Sequence, residues 1–179
     1  GAKEKYSINP KFEVEYDTWD KKDPRKKFKV GRTSEALRSI GIEDQTIEWD
    51  ASKILKIKKK HPAMTDEIIK QVPQILEKPI IVMQSRQDTD RLTVFGEVTD
   101  ANGDHVLAVL ELKPTDRKGM LLNRIKIASA YGKQGNIQNF IDNSKIEYIE
   151  PDKKRTDMWL KRTGLQLPVG ISKYGSINT

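Results

Sequence analysis

The amino-acid sequence predicts an α+β fold: amino-terminal helices, then a mainly antiparallel sheet of four to five strands, then a carboxy-terminal helix. Three observations carry this prediction. Apolar residues recur with helical spacing up to Pro79, they alternate with a period of two residues after it, and helical spacing returns near Thr156. Because no helix stands between successive strands in residues 80–131, the sheet should be antiparallel.

The beginning of the chain differs in composition from the rest. The run Lys21–Lys27 combines charges with a proline and has no periodicity, which is typical of a linker. We therefore predict a basic arm or linker at residues 1–29 and a single domain at residues 30–179. Within the arm, Phe12–Tyr16 alternates apolar and acidic residues, which predicts one short strand.

Three helices are predicted before the sheet. Each starts at a hydroxyl-bearing residue that can accept a hydrogen bond from the first helical turn, and each ends at a glycine or a proline. In the second helix, Ile54, Ile57 and His61 share one face by their spacing. The predicted starts and ends are Thr33 or Ser34 to Gly41, Ser52 to Pro62, and Thr65 to Pro79 with a kink or restart at Pro73.

The predicted sheet follows these helices. Ile80–Met83 is an apolar run typical of a buried strand. Asn102-Gly103 is a two-residue turn signal between alternating segments, which predicts a β-hairpin. Further strands are predicted at Arg124–Tyr131 and Ile146–Ile149 with a short helix between them, and Thr156 begins the final helix.

Charge and composition narrow the classes of function. Lysine and arginine number 33 against 26 aspartates and glutamates, and the isoelectric point is about 9.4, which favours polyanionic partners such as nucleic acid. The alternative is a solvated surface with an excess of lysine. The chain has no cysteine, which excludes disulfides and thiol catalysis. No apolar run approaches the roughly 20 residues that span a bilayer, so we expect no membrane partner.

Six stretches, in this order, resemble the carboxy-terminal domain of phage MuF proteins, over about residues 29–179. That family ends phage head-morphogenesis proteins and large polyvalent proteins of mobile elements. It is grouped by inferred fold with the barnase, EndoU, colicin and RelE-like ribonucleases, which implies helices followed by a four-stranded antiparallel sheet with the active site on its exposed face. The six stretches are Gly31–Leu37, His61–Thr65, Pro73–Pro79, Ser129–Lys133, Tyr148–Arg155 and Gly164–Pro168.

The resemblance implies a metal-independent endoribonuclease toxin domain that cleaves RNA, with tRNA as one candidate substrate, by acid–base transesterification. It implies a cognate immunity protein, a phage capsid or a larger parent polypeptide as partners. The domain would travel in a phage particle or as a secreted effector and act in the cytoplasm of a bacterial target cell. The alternatives are a non-catalytic nucleic-acid-binding module, a module that docks on a capsid or an immunity protein, and a different transfer reaction on the same scaffold.

Cleavage of RNA without a metal needs a base, an acid and groups that stabilise negative charge. We predict His61, Ser129, Tyr131 and Lys133 as the catalytic set, with no metal and no cofactor. Lysines near His61 should lower its pKa while the helix end should raise it, and the sequence leaves the balance open. The alternatives are that His61 only ends its helix and that Ser129 and Tyr131 extend a core face. The second histidine, His105, is interpreted as a solvent-exposed strand residue.

Further residues are predicted to bind RNA. They share a positive charge or a hydrogen-bonding group near the predicted site or a helix amino terminus. For the basic residues among them, a solvated surface is the alternative. The predicted RNA-binding residues are Arg32, Lys60, Ser85, Lys153, Lys154, Arg155 and Gln166.

Overall fold

The computed structural model describes residues 7–171 and 174–177 of the 179-residue chain. Within that part of the chain, helices and strands alternate irregularly. The helices are α1 (Phe12–Thr18), α2 (Glu35–Ser39), α3 (Ala51–Lys60), α4 (Asp66–Ile69), α5 (Val72–Glu77), α6 (Ile137–Asp142) and α7 (Lys153–Thr163). The strands are β1 (Lys27–Arg32), β2 (Thr46–Asp50), β3 (Ile81–Gln84), β4 (Arg91–Thr99), β5 (His105–Glu111), β6 (Ile125–Gly132), β7 (Lys145–Ile149) and β8 (Gly175–Ser176).

The strands of the described residues form one mixed sheet in the order β1-β2-β6-β5-β4-β3-β7-β8. Its centre, β3 to β6, is the antiparallel meander that the sequence predicts, and the α+β class and the final helix are confirmed. The predicted size of four to five strands is wrong, because β1 and β2 extend one side and β7 and β8 the other. The helices also do not all precede the sheet, since β1 and β2 lie between α1 and α3, whereas α6 between β6 and β7 confirms the predicted short helix.

The beginning of the chain differs from the predicted arm. Phe12–Tyr16 lies in helix α1 and not in a strand, because Phe12 and Tyr16 are one helical turn apart and both face the core, at 1% and 0% exposure. Their rings pack with Phe28 of β1, and Phe12 also stacks on Trp49 of β2. The predicted boundary at Val30 therefore lies within a strand, and residues 12–28 share the main hydrophobic core.

Strand β2 passes directly into helix α3, which changes the predicted cap. Asp50, not Ser52, occupies the amino-terminal cap position, and its side chain makes no capping hydrogen bond. Its carboxylate instead accepts a hydrogen bond from Lys126 Nζ at 2.7 Å. The predicted caps Ser34 and Thr65 are confirmed, since each accepts a backbone N–H three residues later.

Two hydrophobic clusters fill the two faces of the sheet. The larger cluster joins one face to residues of helices α1 to α5. The smaller cluster joins the other face to α6 and α7, with Trp159 of α7 against Phe95 of β4. The sheet is thus the middle of three layers. No helix among the described residues is long and apolar enough to cross a bilayer.

Candidate functional site

A cavity lies beside β6, at the point where its pairing with β2 ends. Strand β2 pairs with β6 only through Ile47–Ile125 and Glu48–Lys126, and the chain then turns into α3. Beyond Lys126, β6 is therefore flanked by a helix. The cavity between them has a volume of about 360 Å³. It is lined by Lys53, Lys56, Ile57, Lys60 and His61 from the helical side and by Ala128, Ser129 and Tyr131 from β6.

His61 and Tyr131 are in direct contact in this cavity. Their ring centroids lie 4.8 Å apart with an interplanar angle of 11°, so the imidazole stacks on the phenol. His61 is placed by the end of α3, where its backbone N–H donates to Ile57 O at 2.7 Å and Pro62 follows. Ser129 lines the same cavity, and its hydroxyl has no hydrogen-bond partner within the described part of the chain. The structure thus brings together three residues of the predicted catalytic set.

The pKa values of the stacked pair move in opposite directions. Burial lowers the pKa of the His61 imidazole, the Lys60 charge lowers it further, and the Asp100 carboxylate opposes them. The balance that the sequence leaves open therefore favours neutral His61, which is the form that accepts a proton. Burial raises the pKa of the Tyr131 phenol, so this group keeps its proton near neutral pH.

The lysines of the cavity are not neutralised by acids of the described part of the chain. Lys53, Lys56 and Lys60 share one side of α3 by their spacing of three and four residues. None of the three forms an ion pair with another described residue, whereas Lys58 of the same helix pairs with Asp66 at 2.7 Å. The predicted RNA-binding residue Lys60 therefore lies beside His61, together with two further cations.

Lys133 lies apart from the other predicted catalytic residues. Strand β6 ends at Gly132, and the Lys133 ammonium lies 5.0 Å from the centroid of the Phe140 ring, in a cation–π contact. It does not line the cavity. The predicted convergence therefore holds for Ser129 and Tyr131 but does not extend to Lys133.

Asp100 is a residue near the site that the sequence analysis misses. It is only 9% exposed, and its Oδ1 accepts the backbone N–H groups of Asn102 and Asp104, both at 2.9 Å. A Cβ atom at Gly132 would lie 2.0 Å from Asp100 Oδ2. Gly132 thus leaves room for this carboxylate, one residue from Tyr131. The Asn102-Gly103 turn hides Asp100 in the sequence, because an aspartate before a turn is common.

The predicted RNA-binding residues near α7 have structural partners or lie away from the cavity. Arg155 forms ion pairs with Glu150 and with Glu97, the latter at 2.5 Å, and it donates to Lys78 O at 2.6 Å. Lys153 and Lys154 are exposed at the start of α7. None of the three lines the cavity of His61.

Three more predicted RNA-binding residues also lie outside the cavity. Arg32 Nε pairs with Asp44 at 3.0 Å. Ser85 closes the loop between β3 and β4, where its Oγ accepts two backbone N–H groups at 3.2 Å. Gln166 is exposed, and its backbone N–H and C=O are both hydrogen-bonded to the side-chain amide of Gln138.

His105 is not the solvent-exposed residue that the sequence indicates. Its ring lies 6.0 Å from the ring of Trp159 in an edge-on contact, and burial lowers its pKa. The reason is that α7 covers this face of the sheet, which a hairpin pattern alone does not reveal. His105 therefore lies against α7, whose Trp159 belongs to the smaller hydrophobic cluster.

The fold and cavity define a mixed α+β domain with a basic cavity at a gap in its sheet. The family model of the phage MuF C-terminal domain matches residues 53–156, which is more than half of the chain. The protein therefore belongs to the phage MuF C-terminal domain family. The match runs from Lys53 to Thr156 and so includes every residue that lines the His61 cavity. No curated protein and no solved structure gives a significant match.

Proposed function

We propose that this domain is a metal-independent endoribonuclease toxin that acts in the cavity of His61 and Tyr131. The observation that carries the proposal is the stacking of this imidazole on this phenol, in a cavity with three lysines that lack acidic partners among the described residues. Membership of the MuF family supports a phage or mobile-element setting. The inferred grouping of that family with barnase-like ribonucleases supports RNA as the substrate.

His61 and Tyr131 divide the proton transfers of the proposed reaction. Neutral His61 takes the proton of a ribose 2′-hydroxyl, and the 2′-oxygen attacks the adjacent phosphorus. The bond from phosphorus to the 5′-oxygen breaks, and Tyr131 gives its proton to that oxygen. The products are a 2′,3′-cyclic phosphate and a free 5′-hydroxyl. The proton on His61 then returns through water to the Tyr131 phenolate.

The remaining groups stabilise the charge that develops on phosphorus. Lys56 and Lys60 supply positive charge, and the free hydroxyl of Ser129 donates a hydrogen bond to a phosphate oxygen. Lys133 has no part in this arrangement, since its ammonium contacts Phe140. The reaction needs no metal ion. Within residues 7–171 and 174–177, no group of three or more histidine or carboxylate side chains is arranged to hold one.

The test is incubation of the protein with bulk RNA and with tRNA in the presence of EDTA. Because general acid–base catalysis contributes about 10²- to 10⁴-fold, we expect His61→Ala to lose that factor in rate and Tyr131→Phe to lose a comparable one. His105→Ala is the matched control and should keep the rate. Intact RNA after incubation with the unmodified protein would refute the proposal.

A non-catalytic nucleic-acid-binding module is the second candidate. The unpaired lysines of α3 favour it, because binding needs positive charge and no proton transfer. It predicts affinity for RNA without cleavage, and an affinity that His61→Ala leaves unchanged. In either case the proposed setting is a phage particle or secreted effector, with an immunity protein or capsid as protein partner and action in the cytoplasm of a bacterial target.

A further inference from the structure

The cavity of His61 continues into a second cavity along α3. The second cavity has a volume of about 460 Å³, and it shares Lys53 and Ala128 with the first. Each volume is in the range that holds one small ligand of nucleotide size. The charged residues of its lining include Lys27, Lys53, Glu111, Asp116, Arg117 and Lys126.

Cations without acidic partners run through both cavities. Lys60, Lys56 and Lys53 extend over about 10 Å of α3, given the rise of about 1.5 Å per residue. Arg117, in the loop between β5 and β6, lines the second cavity together with Lys53 and forms no ion pair with another described residue. This row is longer than a single phosphate group, so it suits a chain of phosphates.

The other charges of the second cavity are largely held by the protein itself. Lys126 is bound to Glu48 and Asp50, both at 2.7 Å, and Arg124 is bound to Glu48 at 3.0 Å. Asp116 Oδ1 accepts two backbone N–H groups of its own loop. Lys27 pairs with Asp50 at 3.5 Å, so Lys53 and Arg117 remain as the cations of this cavity without an ion pair among the described residues.

The presence of Glu111 in the second cavity favours a nucleotide over a simple polyanion as the ligand. It lines the second cavity, and its carboxylate has no hydrogen-bond or ion-pair partner among the residues described. A carboxylate repels phosphate but accepts hydrogen bonds from the amino groups of a base or from a ribose hydroxyl. Two free cations beside one free acceptor therefore match a ligand that has both phosphates and donors.

We infer that the second cavity is a nucleotide subsite, and that the ligand of this domain is a single-stranded polynucleotide whose backbone follows α3 from His61 to Lys53 and on to Arg117. The inference rests on the proposed function only in placing the reacting phosphate at His61. The nucleotide next to that phosphate lies in the second cavity, with its phosphate between Lys53 and Arg117 and its polar groups toward Glu111.

Binding of uncleavable oligonucleotides tests this inference separately from catalysis. The probes are a 2′-O-methyl dinucleotide and a 2′-O-methyl decanucleotide with a fluorescent label, and the readout is anisotropy over a range of salt concentrations. The variants are Lys53→Ala and Arg117→Ala. Their matched controls are Lys59→Ala on the same helix and Arg86→Ala in another loop, which remove the same charge outside both cavities. Thermal unfolding confirms that each variant is folded.

We expect the decanucleotide to bind more tightly than the dinucleotide. Lys53→Ala and Arg117→Ala should each weaken the decanucleotide on the order of tenfold and reduce the salt slope by about one. The control variants should bind as the unmodified protein does, and a decanucleotide duplex should bind less tightly than the single strand. If these binding results are obtained but RNA is not cleaved, the nucleotide subsite is supported and the proposed ribonuclease activity is refuted.

Three results would overturn the inference. The first is equal affinity for the two probes. The second is an equal loss of decanucleotide affinity in the cavity variants and in their controls, even if RNA is cleaved. Lys53 and Arg117 would then contribute only to the overall positive charge of the protein. The third is polyglutamate that competes as strongly as the decanucleotide, since the cavity would then be a general polyanion surface.

Discussion

The two histidines of this domain lie in surroundings that are alike in one respect and opposed in another. Each ring contacts an aromatic ring, His61 with Tyr131 and His105 with Trp159, and burial lowers both pKa values. Around His61 the cations lack acidic partners among the described residues. The charges that act on His105 are of opposite sign, since the Asp104 carboxylate raises its pKa and the Arg162 guanidinium lowers it. A lowered histidine pKa occurs in both regions and does not by itself single out a site, and what distinguishes His61 is the cavity that it shares with three lysines.

The largest effect should be a difference in toxicity between His61→Ala and His105→Ala when each is expressed in bacteria. If the domain is a ribonuclease toxin, its expression in bacteria should stop growth. His61→Ala should restore growth, because it removes a factor of about 10² to 10⁴ in rate. His105→Ala should remain toxic, as judged by plating efficiency at equal protein level. Equal relief by both variants would remove the distinction between the two regions.

The second effect is on the free energy of unfolding, and it should be larger for a substitution in α7 than for one in α3. Arg155→Met should lower the free energy of unfolding by about 2 kcal/mol, because Glu150 and Lys78 O lose a charged partner that is half-buried. Lys56→Met should leave it nearly unchanged, since Lys56 makes no ion pair with a described residue. Urea denaturation measures both. A comparable loss in Lys56→Met would mean that the lysines of α3 have a structural role.

The third effect is a change in the pKa of one histidine. Burial is the larger cause of the lowered pKa of His61, and the charge of Lys60 is the next. Lys60→Met should therefore raise the pKa of His61 without restoring the ordinary value of about 6.5. The pKa of His105 should not move in the same sample. NMR titration of the two imidazole rings reads both values at once, and a shift of both rings would contradict the local origin.

The smallest effect is the dependence of stability on pH. A histidine whose pKa is lower in the folded state binds fewer protons there than in the unfolded chain, so unfolding is favoured at low pH. The free energy of unfolding should rise with pH from the folded pKa values to about 6.5 and then level off. His61→Gln should reduce this rise, and His105→Gln should reduce the remainder. A rise that survives both substitutions would have another source.

The sequence predicts local structure well where one residue decides it. Asn102-Gly103 turns the chain between β4 and β5, and Pro62 follows the end of α3. Strands β1 and β2 are missed for a physical reason. In β1 the alternation of Phe28 and Val30 lies within a run of lysines, and in β2 Ile47, Glu48 and Trp49 are all buried, so no alternation shows.

The candidate site is predictable in its main pair and not in its surroundings. His61 and Tyr131 are found because each belongs to a stretch that resembles the MuF family. Their contact depends on the gap in the sheet beyond Lys126, which is a property of topology. The same limit explains why Lys133 is predicted in the site, because alternation along a strand does not reveal that the strand ends at Gly132. It also explains why Asp100 is missed, because alternation does not reveal that a carboxylate from the β4–β5 hairpin lies against Gly132.

Analysis of the reaction products is the most direct test of the proposed chemistry. A short RNA and the same RNA with one 2′-deoxy nucleotide at the cleaved position are incubated with the protein in EDTA, and the fragments are weighed by mass spectrometry. We expect fragments ending in a 2′,3′-cyclic phosphate from the RNA and none from cleavage at the deoxy position. Cleavage at the deoxy position, or no cleavage of either strand, would contradict the proposed chemistry.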